Sequence, residues 1–165
     1  MSGWSRRTFV AAAGAAVALP LAALGSEVGA ADVAKAYVDA WNAHDAEAVA
    51  AFLAAEAVYF DAARDNPVQG REAIATEVVA SLMTAVPDLS WEMLGEPIAQ
   101  GEMVAFQWRM SGTNSGDWWD GNSTSNQRFM LLGASVLRIA GGLIHSHADY
   151  YDALGLYRQL GWIEG

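Results

Sequence analysis

The sequence contains no cysteine and only one lysine, Lys35, and each of these shortages excludes some classes of function. Without cysteine the chain has no disulfide bond, no thiolate zinc site and no cysteine nucleophile. Its 9 basic residues stand against 19 acidic residues, which gives a formal net charge of -10. Binding to a phosphate backbone requires a face rich in lysine and arginine, so the composition excludes nucleic acid as a partner and disfavours anionic membrane surfaces.

Charged residues are also few, at 17% of the chain, whereas hydrophobic residues make up 53%. This balance predicts a folded domain with a sizeable core, with room for an apolar cavity. No internal repeat, low-complexity tract or linker interrupts residues 31–165. We therefore interpret that stretch as one domain.

The first 30 residues have the order of an export signal. Paired arginines, Arg6 and Arg7, precede an alanine-rich apolar stretch that is shorter than the roughly 20 residues of a membrane span. Small residues at Val28 to Ala30 then favour cleavage before Ala31. The segment SRRTFV resembles the twin-arginine (Tat) translocation signal. This resemblance implies the Tat translocase as a transient partner and a periplasmic or extracellular protein; the alternative is an uncleaved, membrane-anchoring N-terminus.

The rest of the chain divides into helices followed by strands. Apolar residues at helical spacing predict a helix from Asp32, and Asp45 is placed to cap a second helix, Ala46 to Leu53. A strand is predicted at Ala57 to Ala62 and a third helix at Arg71 to Val86. After Pro87 everything is predicted to be strand, at residues 89–98, 103–112, 127–139 and 143–151. This order indicates an α+β domain with helices on one face of a mostly antiparallel sheet.

Several motifs in this order resemble the SnoaL-like polyketide cyclase group of the nuclear transport factor 2-like superfamily. They are AYVDAWNAHDAEAVAAFL, GREAI, VPDLSWEM, WRMSGT and DALGLYRQLG. The resemblance implies a cystatin-like α+β barrel: a cone-shaped, strongly curved sheet, closed by three N-terminal helices around an apolar pocket. It also implies catalysis without metal or organic cofactor, with Asp152 at the position of the group's general acid/base. Asn114, however, stands where the group usually has histidine, and this departs from the family pattern.

A second resemblance involves Tyr37 and Asp61, whose setting is similar to the catalytic tyrosine and aspartate of ketosteroid isomerases. A carboxylate in an apolar pocket can remove a proton next to a carbonyl, and a tyrosine hydroxyl can stabilise the resulting enolate. Those enzymes carry a further acid in the strand that corresponds to residues 129–139, which has none here. The alternative is that Tyr37 belongs to the core and Asp61 begins a loop.

Alternation along the last predicted strand separates two sets of side chains. We expect one set, which ends at Asp152, to line the cone, with the small residues leaving room for a bulky ligand: Ile144, Ser146, Ala148 and Tyr150. The other set contains His145, His147 and Asp149, and an outer-face position favours solvation or a dimer contact over metal binding.

Tryptophans are expected in the core or the pocket wall, notably Trp41, Trp108, Trp118 and Trp119. Trp118 and Trp119 lie in a loop that either covers the pocket mouth or forms a surface contact.

Two functions remain open at this point. One is a cofactor-free cyclase or isomerase that acts on an apolar molecule with a carbonyl group; the other is an exported protein that binds a small hydrophobic ligand without chemistry. The family resemblance also suggests a homodimer through the open sheet face.

Overall fold

The computed structural model describes residues 29–64, 66–118 and 121–163 of the chain. Its helices are α1 (Ala30–Asn42), α2 (Ala46–Ala51), α3 (Arg71–Ile74), α4 (Ser81–Ala85) and α5 (Ala153–Gln159). Its strands are β1 (Leu53–Asp61), β2 (Val68–Gln69), β3 (Ser90–Gln100), β4 (Met103–Thr113), β5 (Arg128–Ala140) and β6 (Leu143–Tyr151). The predicted signal, apart from its last two residues, lies outside the described residues, and so does Trp119.

The strands form one six-stranded sheet in the order β2-β1-β6-β5-β4-β3. Neighbouring strands are antiparallel except for β1 and β6, which run parallel. The sheet is therefore mixed, and the predicted α+β class with N-terminal helices is confirmed.

Helix α1 packs on the sheet through the residues that the helical spacing predicted. Val33, Tyr37 and Trp41 are buried on one face, at intervals of four residues that bring side chains onto the same side of a helix. The ring of Tyr37 lies 6.1 Å from that of Trp91 on β3, edge to face. None of the helices in the described ranges is long and apolar enough to cross a membrane.

Helix α2 begins as predicted, with the Asp45 carboxylate accepting a hydrogen bond from the Ala48 amide at 3.0 Å. It ends earlier than predicted, because Leu53 already belongs to β1. The residues LAAE at the start of β1 favour a helix by propensity, but Leu53 pairs with Ile144 of β6, and the Ile144 amide donates to the Phe52 carbonyl. Tertiary pairing overrides local preference at this point.

The third predicted helix is continuous in space but irregular. A π-helical segment, Ala75–Ala80, joins α3 to α4, and the residues at both junctions have right-handed helical backbone angles. Short π segments occur often at functional sites, where a wider turn re-aims side chains. Val78 of this segment and Leu82 of α4 point toward the interior of the domain.

Helix α5 was not predicted, and the expectation that only strands follow Pro87 is wrong in this respect. The carboxylate of Asp152 caps the helix by accepting a hydrogen bond from the Gly155 amide at 2.8 Å. A Cβ on residue 155 would lie 2.3 Å from the Asp152 side chain, so any other residue there would require the carboxylate to shift.

Candidate functional site

A bulge in β6 determines which side chains face the interior. Ile139 pairs with Ile144 and Arg138 with Ser146, so His145 is an extra residue on the β6 side. Beyond the bulge the alternation is inverted, and His147 and Asp149 are buried. The face assignment made from simple alternation is therefore wrong for the residues that follow Ile144.

The residues of the expected inner set lie elsewhere. Ser146 and Ala148 are half-buried on the opposite face of the sheet, and Tyr150 is 51% exposed there, with its ring 5.8 Å from that of Phe60. Asp152 is exposed and caps α5. It does not lie in an apolar cone, which removes the desolvation that its predicted acid/base role requires.

A cavity of about 40 Å³ lies between the sheet and the helix that contains the π segment. Three apolar aromatic side chains line it: Trp108, Trp118 and Phe129. The aliphatic lining comes from the π segment, α4, the central strands and α5, as Val78, Leu82, Met110, Leu131 and Leu156. The polar lining comes mainly from β1 and β6, as Tyr59, Asp61, Arg64, Asp149 and Tyr151.

Asp149 is the most highly connected group in the cavity wall. Its Oδ2 accepts a hydrogen bond from the Tyr59 hydroxyl at 2.5 Å, and its Oδ1 accepts from the Ser135 hydroxyl and from His147 Nε2, the latter at 2.9 Å. Burial alone would raise the pKa of Asp149, but the electrostatic interaction with His147 and these three donors outweigh it and lower the pKa. Asp149 is thus held as a carboxylate.

His147 lies behind Asp149 and connects it to α1. Its Nδ1 is 3.2 Å from the Tyr37 hydroxyl, which donates to a neutral ring and accepts from a protonated one. Tyr37 is fully buried, and burial raises the pKa of its hydroxyl well above the ordinary value. Tyr37 does not line the cavity, so the expected Tyr37–Asp61 pairing is not formed.

Asp61 lies at the end of β1, and its backbone pairs with that of Asp149 across the parallel β1–β6 contact. Its Oδ1 accepts hydrogen bonds from the Tyr151 hydroxyl at 2.9 Å and from the Ala63 amide at 2.8 Å. Burial raises the pKa of Asp61, with a smaller contribution from the negative charge of Asp149, and these effects exceed the lowering by its hydrogen bonds and by Arg64. Asp61 therefore keeps its proton to a higher pH than Asp149.

The two carboxyl groups differ in environment although they line one cavity. Asp149 has three side-chain donors, whereas Asp61 has one side-chain donor and one amide. Environments that shift two pKa values in opposite directions separate a proton acceptor from a proton donor. The arrangement can therefore remove a proton from one atom of a ligand and deliver a proton to another.

Trp108 connects the wall of the cavity to this network, because its indole Nε1 donates to the Ser135 hydroxyl at 2.8 Å. The indole lies against Gly133 of β5, where a Cβ would be 2.2 Å from the ring. Glycine at this position is what allows the ring to lie this close to the strand.

Of the other tryptophans predicted from the sequence, one belongs to the hydrophobic core and one lines the cavity. Trp41 is buried beside Tyr37 and Trp91 and does not line the cavity. Trp118 does line it and packs edge-on against Phe129 and Trp162. The base of the loop that carries Trp118 is fixed by the buried Asn114, whose side chain bonds Gly116 and Ser125.

Sequence reasoning missed four of the groups that define the site: Tyr59, Ser135, Asp149 as a cavity residue, and Tyr151. The sequence pattern does not reveal that Ser135 of the hydrophobic strand β5 is a hydrogen-bond partner of Trp108. The polar pair His147 and Asp149 was visible in the sequence, but simple alternation placed both side chains on the outer face. Within the described ranges no group of three or more histidine, cysteine, aspartate and glutamate residues is arranged to hold a metal ion.

The comparisons with known proteins agree with this fold. A family model described as SnoaL-like polyketide cyclase matches residues 31–160. The chain is 30% identical over 131 residues to aklanonic acid methyl ester cyclase DauD of Streptomyces sp. (strain C5), which covers 79% of this chain and 80% of that protein.

Two solved structures show the same fold at lower identity. A SnoaL-like protein from Jannaschia sp. CCS1 superposes with a TM-score of 0.71 at 17% identity, covering 82% of this chain and 93% of that one. A protein with a ketosteroid isomerase-like fold from Catenulispora acidiphila DSM 44928, solved in complex with trimethylamine, gives 0.67 at 23% identity, covering 79% and 92%.

Proposed function

The chain belongs to the SnoaL-like polyketide cyclase family, and from this premise we propose that it is a cofactor-independent cyclase or isomerase of an apolar, carbonyl-bearing molecule. The observation that carries the proposal is the pair Asp61 and Asp149, whose pKa values are shifted in opposite directions within one largely apolar cavity. Perturbed carboxyl groups in a cleft are candidates for catalysis, because catalytic acids and bases need pKa values matched to their task. The Streptomyces relative DauD is named as an aklanonic acid methyl ester cyclase.

In the proposed reaction Asp149 removes a proton from the carbon next to a carbonyl group, and an enolate forms. In a cyclisation the enolate carbon attacks a second carbonyl carbon of the same molecule, so that a C–C bond forms while the C=O π bond breaks. Asp61 then protonates the resulting alkoxide. In an isomerisation the proton returns to a different carbon. Both reactions conserve the atoms of the substrate and need only acid and base.

This assignment moves the acid/base role from Asp152, where the family resemblance placed it, to Asp149. Asp152 is exposed at the cap of α5, whereas Asp149 is buried in the cavity wall three residues earlier. His147 and Tyr37 support Asp149 from behind, as positioning groups. The aromatic walls would hold the apolar part of the substrate.

Exchange of α-hydrogens tests the proposal without knowledge of the natural substrate. The protein is incubated in D₂O with 2-tetralone, an apolar bicyclic ketone, and deuterium incorporation is followed by proton NMR. Because the cavity is smaller than the roughly 300 Å³ of a common ligand pocket, flexible side chains such as Met110 must move aside. We expect catalysed exchange that falls about 10²-fold in Asp149→Asn and is unchanged in Asp152→Asn. Exchange no faster than in buffer for a panel of such ketones would count against an enzyme.

A second function, ligand binding without chemistry, is favoured because the carboxylate oxygens of Asp149 already accept hydrogen bonds from protein groups. Three donors already occupy this carboxylate, and a lowered pKa makes it a weak base. A protein that binds a small hydrophobic ligand without chemistry would show the same network as a purely structural feature. Ligand binding with no exchange in any variant would identify this function.

We also propose export by the Tat route, which rests on the sequence, and a homodimer. The dimer is supported by exposed apolar side chains on the outer face of the sheet. Leu132 is 60% exposed and Met130 49% exposed on β5, beside Tyr150 on β6.

A further inference from the structure

Arg64 lies in the same cavity as the two carboxyl groups. It belongs to the turn after β1, where its amide donates to the Asp61 carbonyl at 2.9 Å. Its guanidinium Nη2 donates to the Glu77 carbonyl in the π segment, also at 2.9 Å. The side chain thus spans from the Asp61 turn to the opposite wall and lines the cavity between them.

Enolate formation creates negative charge on a carbonyl oxygen, and that oxygen needs donors or a positive charge nearby. Three of the other donors in the wall are already directed at protein groups. The Tyr59 hydroxyl donates to Asp149, the Tyr151 hydroxyl to Asp61, and the Trp108 indole to Ser135. None of these three is directed at a ligand oxygen.

The distribution of charge also favours a positively charged group near this oxygen. When Asp149 takes the proton, its negative charge passes to the carbonyl oxygen of the ligand, in a chain whose net charge is already -10. Within the part of the chain that the structure describes, Arg64 is the only lysine or arginine that lines the cavity. A guanidinium carries a permanent charge and five N–H donors in a planar array, which suits an oxygen anion.

From these contacts we infer that Arg64 binds the oxygen of the enolisable carbonyl group and stabilises the enolate that forms there. The substrate class follows: a molecule whose one oxygen-bearing end reaches Arg64 and whose apolar body lies against Trp108, Trp118 and Phe129. The inference rests on the proposed function, since it assigns the oxyanion of that reaction.

The pair 2-naphthol and naphthalene tests this role by binding alone. Ionised 2-naphthol carries its charge on one oxygen of an apolar ring system, as an enolate does, and its ionisation is visible in absorbance and fluorescence. The pKa of the bound 2-naphthol is measured in wild type, Arg64→Gln, Arg64→Lys and Arg158→Gln. Arg158 is exposed on α5 outside the cavity, so its variant controls for the loss of one positive charge.

We expect the pKa of bound 2-naphthol to be about one unit higher in Arg64→Gln than in wild type, a tenfold loss of preference for the anion. Arg64→Lys should keep more than half of the effect, and Arg158→Gln should match the wild type. Equal pKa values in wild type and Arg64→Gln, with naphthalene bound by both, would overturn the role of Arg64 and leave the proposed function standing. If the folded wild type binds neither compound, both the inference and the proposed function fail.

Discussion

Replacing each cavity carboxylate by its amide should change stability in opposite directions. In Asp149→Asn the hydrogen bonds from Ser135 and His147 lose their charged acceptor, and Tyr59 must turn from donor to acceptor at 2.5 Å. Hydrogen bonds to a charged group contribute about 1.5–3 kcal/mol and neutral ones about 1, so three weakened bonds predict a loss of about 2–4 kcal/mol at pH 7. In Asp61→Asn the acceptor oxygen for Tyr151 and Ala63 is retained while the cost of burying a charge disappears, which predicts a gain of up to about 1 kcal/mol.

The pH dependence follows from the direction of each pKa shift. Asp149 has a folded-state pKa below its ordinary 3.8, so its contribution is present above that pH and is lost as the pH falls through the folded pKa. Asp61 has a folded-state pKa above 3.8, so the native state binds the extra proton. Stability then falls as pH rises from about 4 through the raised pKa, and the advantage of Asp61→Asn grows over the same range.

Urea unfolding, followed by tryptophan fluorescence at several pH values, measures both effects. Asp39→Asn, the same change on an exposed residue of α1, is the control. A large destabilisation by Asp61→Asn at neutral pH, or equal effects of the two substitutions, would refute the assignment of the two environments.

Three further predictions concern residues outside the cavity. Asp152→Ala should cost about 1 kcal/mol of stability through loss of the α5 cap and leave ketone exchange unchanged; a 10²-fold loss of exchange in the folded variant would restore Asp152 as the acid/base. Leu132→Lys should shift sedimentation from dimer to monomer, whereas a wild-type monomer would contradict the dimer. Arg6→Lys with Arg7→Lys should abolish export but leave the thermal unfolding of the domain unchanged; normal export of this double variant would exclude the Tat route.

The fold could be predicted because its signals are local and the family motifs lie in order. The helical spacing of Val33, Tyr37 and Trp41 and the cap at Asp45 both correspond to the observed helices. The turn glycines Gly101 and Gly141 have positive φ angles of 59° and 57°, which glycine adopts without strain. The start of β1 could not be predicted, since LAAE forms a strand only through its pairing with β6.

The candidate site was harder to predict, for a definite reason. One extra residue, His145, inverts the alternation of β6, and an inserted residue in a strand has no strong sequence signal. Polar residues at 147 and 149 indicate solvent exposure by pattern, yet they are buried because His147 has a partner on α1 and Asp149 has partners on β1 and β5. Such partners are as much as 110 residues apart in the chain, so only the three-dimensional structure reveals them.

Asp61 and Asp149 share one cavity but hold their protons to different pH. Titration of the two side-chain carboxyl carbons by carbon-13 NMR measures both pKa values directly, with Asp61→Asn and Asp149→Asn to assign the signals. We expect Asp61 to titrate above 3.8 and Asp149 below it. The reverse order, or two values at the ordinary 3.8, would contradict the separation of donor and acceptor on which the proposed chemistry depends.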